Sequence, residues 1–108
     1  MIDENCPFCP YFEKLTKPQQ VLKIVPLNPV VPGHVMFVPA EHVIDAGDDP
    51  EITAETMRQA SLYARSLPAA NIITSKGEDA TQSVFHLHIH VVPRKANDGL
   101  LLPWSNQV

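Results

Sequence analysis

The stretch His86-Leu87-His88-Ile89-His90-Val91-Val92 alternates three imidazoles with apolar side chains. A β-strand sends successive side chains to opposite faces, so this stretch predicts one face of histidines and one apolar face that enters a core. Two simpler interpretations are a solvated strand that happens to carry histidines and an adventitious metal-binding tract. Isoleucine and valine favour a half-buried strand, and nothing here resembles a flexible histidine-rich tail, so we interpret the stretch as a site for chemistry.

Both ends of this stretch carry groups that suit an anion. Downstream, Pro93 ends the strand because proline cannot donate to a sheet, and the cations Arg94 and Lys95 follow it. Upstream, the side chains of Gln82 and Ser83 donate hydrogen bonds, although either is also an ordinary polar residue leading into a strand. The sequence therefore predicts that a phosphorylated ligand lies against the histidine face.

Residues 86–92 resemble the His-φ-His-φ-His-φ-φ signature, with φ apolar, of the histidine triad (HIT) superfamily. Residues 29–39 contain a Pro-Gly-His turn that leads into a strand, and they are similar to the family's other signature stretch. Together with residues 91–98, these blocks are most similar to the dinucleoside polyphosphate hydrolase branch, named for the fragile histidine triad protein. The resemblance covers roughly residues 5–104.

The resemblance implies a role for each histidine of the two signatures. In the family the middle histidine attacks phosphorus, which implies that His88 is the nucleophile; free imidazole, with a pKa of about 6.5, is largely unprotonated at neutral pH. His90 and His34 are implied to hydrogen-bond the transferring phosphoryl group, and one of them to protonate the leaving group. A structural role in the turn is the alternative for His34. His86 completes the triad.

Other nucleotide contacts match the family in part. Gln82 and Ser83 match its phosphate and leaving-group contacts. Pro26 stands where related enzymes carry an Asp or Asn that binds the ribose, and Asn28 is the nearest substitute. Ser75 stands where others carry a longer Asn or Gln near the phosphates. The chain before the Pro-Gly-His turn is also shorter than in typical zinc-containing members, so we expect part of the nucleoside pocket to be trimmed.

Cys6 and Cys9 form a C-x-x-C pair. A disulfide is disfavoured in a chain that we expect to be intracellular, and a redox site is disfavoured because no strand-like segment precedes Cys6. Zinc is the preferred interpretation, with two further ligands among the five histidines. In zinc-containing members of the resembled family these ligands are the histidines that match His42 and His86, which implies a structural Zn²⁺. The alternative is two unligated cysteines and a surface histidine.

Length and charge limit the remaining possibilities. The 108 residues suit one domain, 1–108, with a zinc-tethered N-terminal segment at residues 1–20 and a C-terminal tail at residues 96–108. The net charge of −4 argues against broad nucleic-acid binding, although a small phosphorylated ligand needs only a local cationic pocket. No apolar run is long enough for a membrane span and the N-terminus is not that of a signal peptide, so we expect a cytoplasmic protein.

The pattern along the chain predicts an α+β fold, with an antiparallel sheet of about five strands crossed by one long helix. Acidic residues and Pro50 favour a helix start near Asp48, and Pro68 stops the helix. The resemblance and the small core imply a homodimer. The predicted strands include residues 21–25, 34–38, 71–75 and 84–92.

These features favour a nucleotide hydrolase or transferase that acts at the α-phosphate, most similar to the dinucleoside polyphosphate hydrolases. A nucleoside phosphoramidase, as in the family's nucleotide-binding branch, is the alternative enzyme. A zinc-stabilised nucleotide-binding module without turnover belongs to a different class and would fit the altered ribose and phosphate contacts. A purely structural zinc protein would have no need of three histidines on one face.

Overall fold

The computed structural model describes residues 7–8 and 20–102. Most of the predicted segment 1–20, with Cys6 and Cys9, and the end of the predicted tail 96–108 lie outside this range. The elements in chain order are β1 (Val21–Ile24), β2 (Val35–Pro39), α1 (Pro50–Ala64), β3 (Ala70–Ile73), a 3₁₀ turn (Glu78–Ala80) and β4 (Ile89–Pro93).

The four strands described form one antiparallel sheet in the order β1-β2-β4-β3. This confirms the α+β fold: the described residues contain one long helix and four strands, where about five strands were expected. The two signature segments become neighbours because β2, which follows the Pro-Gly-His turn, pairs with β4, and Met36 lies opposite His90. Within the described residues no helix is long and apolar enough to span a membrane.

Helix α1 begins as its sequence predicts. The side chain of Asp49 accepts hydrogen bonds from the backbone N–H groups of Glu51 and Ile52, and Pro50 occupies the first helical position. The inward side of the helix buries Thr56 and Ala60 completely. This side packs across β2 and β4 and so covers one face of the sheet.

The two faces of the sheet have different functions. Phe37, Ile89 and Val91 point toward α1 and form the main core. The opposite face, which we call the open face, carries Met36 and His90 on paired strands, because residues that pair across an antiparallel ladder share a face. The histidines therefore lie on the side of the sheet away from the helix.

The predicted strand over residues 84–92 is wrong in its first half, because β4 begins only at Ile89. The preceding residues bond to loops instead of a ladder: the N–H of Leu87 donates to the carbonyl of Val43, and the Thr74 hydroxyl donates to the carbonyl of His88. The alternation of faces nevertheless continues through them, since Leu87 enters the core beside α1. The alternation of histidine and apolar side chains between the two faces therefore continues through residues 86–88, although these residues precede the paired strand.

Candidate active site

Four rings lie in a row beside the open face. The centroid of Phe8 lies 5.2 Å from that of His88, His88 lies 5.2 Å from His90, and His90 lies 5.0 Å from His34. His88 and His90 come from β4 and the residue before it, whereas His34 ends the turn before β2. The pairing of β2 with β4 therefore brings together the histidines that the sequence placed 54 and 56 residues apart.

The ring of His88 is held in one tautomer. Its Nδ1 lies 2.8 Å from the backbone carbonyl oxygen of His86, which only a protonated Nδ1 can satisfy. The other nitrogen, Nε2, therefore carries the lone pair. The carbonyl of His88 itself accepts a hydrogen bond of 2.9 Å from the hydroxyl of Thr74, which fixes the backbone at this residue. His88 is thus oriented as a nucleophile would need to be.

Two successive hydrogen bonds, through His34, set the tautomer of His90. The backbone N–H of Val30 donates to Nδ1 of His34 at 3.1 Å, so the proton of His34 resides on Nε2. That Nε2 lies 2.8 Å from Nδ1 of His90, which must then accept. His90 is left with its proton on Nε2. The backbone at Val30 thus fixes two imidazoles in succession.

The turn that carries His34 is anchored from the far side of the sheet. Gly33 adopts a φ of +88°, which glycine tolerates best, and a Cβ added there would lie 3.1 Å from Cγ of Pro93. The hydroxyl of Tyr63, on α1, donates to the carbonyl of Gly33 at 2.7 Å. The ring of Tyr63 also packs against Phe37. The helix therefore restrains the position of His34.

Burial keeps the flanking imidazoles neutral. Desolvation, together with smaller contributions from the neighbouring imidazoles of His88 and His34, lowers the pKa of His90 to about 4. Desolvation also lowers the pKa of His34. Both rings are therefore uncharged near neutral pH, which agrees with the chain of hydrogen bonds, since a cationic His90 would place two N–H groups against each other.

His86 is fully buried. Its Nε2 donates to the carbonyl of Pro39 at 2.8 Å, and its Nδ1 lies 3.1 Å from Nδ1 of His42. Desolvation lowers its pKa to about 4. His86 is therefore not placed to touch a substrate. Its backbone carbonyl accepts the hydrogen bond from Nδ1 of His88 and so orients that ring.

The pair of Nδ1 atoms on His42 and His86 fits half of the zinc site implied by the sequence. Two nitrogens bound tetrahedrally at about 2.0–2.1 Å from zinc lie roughly 3.3 Å apart, close to the 3.1 Å found here. Cys6 and Cys9 are outside the described residues, within which no three His, Cys, Asp or Glu side chains are arranged so that they could hold a metal ion. Phe8, between those cysteines in sequence, lies 5.8 Å from His86, ring centre to ring centre.

The predicted phosphate contacts are dispersed. Gln82 is buried, and its amide N–H groups donate to the carbonyls of Ile44 and Val84 while its oxygen accepts from the N–H of Gly77. Donation to a phosphate would break one of these bonds, so Gln82 is placed to organise the loop before β4. Ser83 is exposed in that loop.

The remaining predicted contacts also lie apart. Ser75 directly follows Thr74 and is half-buried, which keeps it near His88. Asn28 is exposed between β1 and β2, and within the described residues no hydrogen bond joins it to the histidines. The structure therefore gives no support for Asn28 as the ribose-binding side chain that Pro26 does not supply.

Arg94 is not the available cation that the sequence suggested. Its guanidinium donates to both carboxylate oxygens of Asp98, at 2.7 and 2.9 Å, and also to the side chain of Asn71 and the carbonyl of Leu100. The side chains of Arg94 and Asp98 are only 9% and 4% exposed. This ion pair compensates the charge of Arg94, whereas Lys95 is exposed.

Three residues that shape the site, Phe8, Thr74 and Tyr63, were not predicted from the sequence. Phe8 would have followed from the zinc interpretation, because a residue between two zinc ligands must lie close to the others. Thr74 and Tyr63 act through single hydrogen bonds to backbone carbonyls. Nothing in sequence spacing could have found those bonds, because they depend on which loop each hydroxyl meets.

Comparison with known proteins agrees with this geometry. The profile of the HIT domain matches residues 12–97. Adenosine 5'-monophosphoramidase HNT1 of Saccharomyces cerevisiae is 27% identical, over 98% of this chain and 73% of its own length. The asymmetrical bis(5'-nucleosyl)-tetraphosphatase of Schizosaccharomyces pombe is 32% identical, over 82% of this chain and 56% of its own length. A solved HIT family protein from Bacillus anthracis has a TM-score of 0.78 at 28% identity, covering 95% of this chain and 83% of its own.

Proposed function

Because the chain belongs to the HIT domain family, we propose that it hydrolyses nucleotides at the α-phosphate in two steps through a covalent bond to His88. The observation that carries this proposal is the hydrogen bond from Nδ1 of His88 to the carbonyl of His86. Because the proton is on Nδ1, the lone pair is on Nε2, where it can attack phosphorus. The names of the two enzyme relatives, a nucleotide phosphoramidase and a dinucleoside tetraphosphatase, support the same reaction type.

In the first step, the Nε2 lone pair of His88 forms a bond to the α-phosphorus and the bond to the leaving group breaks, with its electron pair going to the leaving atom. His88 becomes a positively charged imidazolium, because Nδ1 keeps the proton that it donates to His86. The Nε2–H of neutral His90 is a hydrogen-bond donor beside the reacting phosphoryl group. Such a donor stabilises charge on the phosphoryl oxygens.

In the second step, water attacks phosphorus and the bond to Nε2 of His88 breaks, which restores the neutral imidazole. The water loses one proton to solvent, and the products are a nucleoside monophosphate and the leaving group. Each step displaces one group at phosphorus, so one difficult reaction is divided into two easier ones.

Two leaving groups follow from the relatives. A dinucleoside polyphosphate releases a nucleotide that departs as a stable anion, and it is the substrate class that the signature blocks favour. A phosphoramidate releases an amine, which needs a proton as it leaves. A nucleotide-binding module without turnover is the remaining alternative, and it is favoured by the changed contacts at Pro26 and Ser75.

Product chromatography tests the proposal. Wild-type protein and a His88→Ala variant are incubated with a diadenosine polyphosphate and with an adenosine phosphoramidate. We expect release of adenosine monophosphate by wild type alone. Binding of either compound without turnover by wild type would support the binding module, and equal turnover by His88→Ala would refute His88 as the nucleophile.

We also propose that Cys6, Cys9, His42 and His86 hold a structural Zn²⁺. What supports it is the 3.1 Å separation of the two histidine Nδ1 atoms and the position of Phe8 against His86. A site with four protein ligands has no open position, so the ion would contribute stability and the placement of His88, not activation of water. Metal analysis of purified protein tests it: we expect one zinc per chain, and markedly less in Cys6→Ser and His42→Ala variants.

A homodimer is proposed on the basis of β3. This strand lies at one edge of the sheet described, and Ile72 and Ile73 on it are 40% and 41% exposed. An edge strand with apolar side chains can pair with a second copy. Light scattering coupled to size exclusion tests this, with a mass near twice 12.0 kDa expected; a mass of 12.0 kDa would refute it.

A further inference from the structure

The backbone of His88 lies just before the regular part of the sheet. β4 begins at Ile89, and the last residue of β3, Ile73, lies opposite His90. The carbonyl of His88 is therefore outside the ladders that hold β4. It accepts a hydrogen bond of 2.9 Å from the hydroxyl of Thr74, the first residue after β3. A side chain thus adds one bond to the connection that the two strands make through their backbones.

The direction of the His88 ring depends on the backbone around it. Its Nδ1 donates to the carbonyl of His86, only two residues earlier, so this bond forms only at particular torsion angles of Leu87 and His88. Two contacts from other parts of the chain restrain those angles. The N–H of Leu87 donates to the carbonyl of Val43 at 2.8 Å, and Thr74 holds the peptide group that follows His88. The lone pair at Nε2 therefore depends on a hydroxyl group outside the histidine stretch.

The position of Thr74 restricts how it can affect a reaction. It is half-buried, and the cavity that opens beside His34 and His90 is lined by Ile73 but not by Thr74. Without its hydroxyl, the carbonyl of His88 would turn toward another donor, and the ring would move with the peptide group. A reacting group has to be held within roughly 0.5 Å and 10–20° of its productive geometry. Such a rotation would therefore slow an attack on phosphorus.

We propose that Thr74 is a positioning residue for the reaction, and that its hydroxyl keeps the lone pair of His88 on Nε2 and directed at phosphorus. This inference rests on the proposed function, since it assigns His88 as the nucleophile. Threonine suits the task because its branched side chain has few χ1 rotamers, so the hydroxyl is held more firmly than that of a serine. The role predicts a graded order of activity at this position: threonine, then serine, then valine.

Steady-state kinetics of Thr74→Val measure this role, because valine keeps the branched shape and removes only the donor. The substrate is diadenosine tetraphosphate or adenosine phosphoramidate, whichever wild type cleaves. We expect kcat to fall roughly 10- to 100-fold, since a misplacement of about 1 Å costs up to about 10²-fold, and KM to change by less than about twofold. Thr74→Ser retains the hydroxyl and should recover most of the lost kcat. Thr74→Ala replaces Thr74→Val if the valine variant does not fold.

The ¹⁵N signals of His88 in the ligand-free protein report its tautomer directly. Wild type and Thr74→Ser should show a single form with the proton on Nδ1. Thr74→Val should show a mixture in which part of the protein carries the proton on Nε2. A ring protonated on Nε2 has no lone pair there and cannot form the bond to phosphorus, so the kinetic and spectral changes should appear together. A side chain that only stabilised the fold would change neither.

Thr53, in α1, provides a matched control. Its hydroxyl also donates to a backbone carbonyl, that of Ala46, at 2.8 Å, and the residue is likewise half-buried. Thr53→Val therefore removes the same kind of bond at a place that does not hold the histidine stretch. It should lower the urea midpoint of unfolding about as much as Thr74→Val does, while kcat and the His88 signals stay at their wild-type values.

The outcomes separate the positioning role from the proposed function. Unchanged kcat and unchanged His88 signals in Thr74→Val, or the same changes in Thr53→Val, would overturn the positioning role. A loss of activity that Thr74→Ser does not restore would overturn the hydroxyl as its cause. Absence of turnover by wild type would overturn the proposed function alone, because the spectra of the ligand-free protein test the effect of Thr74 on His88 without any substrate.

Discussion

Nε2 of His34 lies 2.8 Å from Nδ1 of His90, although the two residues are 56 positions apart in the chain. The contact exists because β2 and β4 pair, and it is directional because the backbone N–H of Val30 occupies the other nitrogen of His34. It makes His90 a neutral donor through Nε2 rather than a cation. This arrangement has consequences that can be measured.

Removing the donor at His34 should release the tautomer of His90. In His34→Leu we expect the ¹⁵N signals of His90 to change from a fixed Nε2–H form to a mixture, and turnover to fall by roughly 10²- to 10⁴-fold, the typical contribution of a positioned proton donor or acceptor. His34→Gln is the matched control, because an amide nitrogen can still donate to Nδ1 of His90. An unchanged His90 spectrum in His34→Leu would contradict the account.

Loss of the Tyr63 hydroxyl should weaken the anchor of the Pro-Gly-His turn. Tyr63→Phe keeps the ring packed on Phe37 and removes only the hydrogen bond to the carbonyl of Gly33. We expect a loss of about 1 kcal/mol in the free energy of unfolding, together with altered ¹⁵N signals of His34. Ser61→Ala, at an exposed position of α1, should change neither. A stability loss without any change at His34 would assign Tyr63 a structural role alone.

Acid should destabilise the fold through His90. Its pKa is about 4 in the folded chain and about 6.5 when unfolded, so between these values the unfolded chain binds more protons. The stability that the neutral ring contributes is therefore complete above pH 6.5 and is lost as pH falls toward 4. The loss is at most about 1.4 kcal/mol for each unit of difference between the folded and unfolded pKa values. Urea unfolding between pH 4 and pH 7 should show a shallower slope in His90→Asn than in wild type; an equal slope would remove His90 as the cause.

The buried Arg94–Asp98 pair should contribute far more than the exposed pair on α1. Hydrogen bonds from Arg94 hold the pKa of the Asp98 carboxyl well below its usual range, so its stabilisation is present above about pH 4 and lost only in strong acid. In a double-mutant cycle, Arg94→Met with Asp98→Asn should show clear coupling. Arg58 and Glu55, 3.8 Å apart and 68% and 47% exposed, should show almost none. Similar coupling energies in both cycles would contradict the larger contribution of the buried Arg94–Asp98 pair.

The sequence anticipated the fold where local signals and periodicity agree. Asp49 and Pro50 mark the start of α1, and alternating apolar residues placed Ile89 and Val91 in the core. It failed at the first half of the histidine stretch, because strand pairing is decided by neighbours: the backbone of Leu87 meets the loop at Val43 instead of another strand. Periodicity fixes the faces of such a segment but not its hydrogen-bond partners.

In the site too, the sequence identified residues but not their hydrogen-bond partners. The alternating histidines His88 and His90 were identifiable from their spacing, whereas His34 was identified through the resemblance of residues 29–39 to the family's other signature stretch. The compensation of Arg94 by Asp98 was not anticipated, although the two residues are only four apart, because whether a cation near a strand end meets an anion depends on the turn that follows. Gln82 was likewise assigned to substrate, whereas the carbonyls of two loop residues engage its amide.

The most direct test of the account is a trapped intermediate. Wild-type protein is mixed with a diadenosine polyphosphate or an adenosine phosphoramidate, quenched within the first turnover and analysed by mass spectrometry of its peptides. The account predicts one adenylyl group attached to His88, seen as a phosphorus–nitrogen bond at Nε2 by NMR, and none in His88→Gln. Attachment at His90 or His34, or turnover with no covalent adduct at any time point, would contradict it.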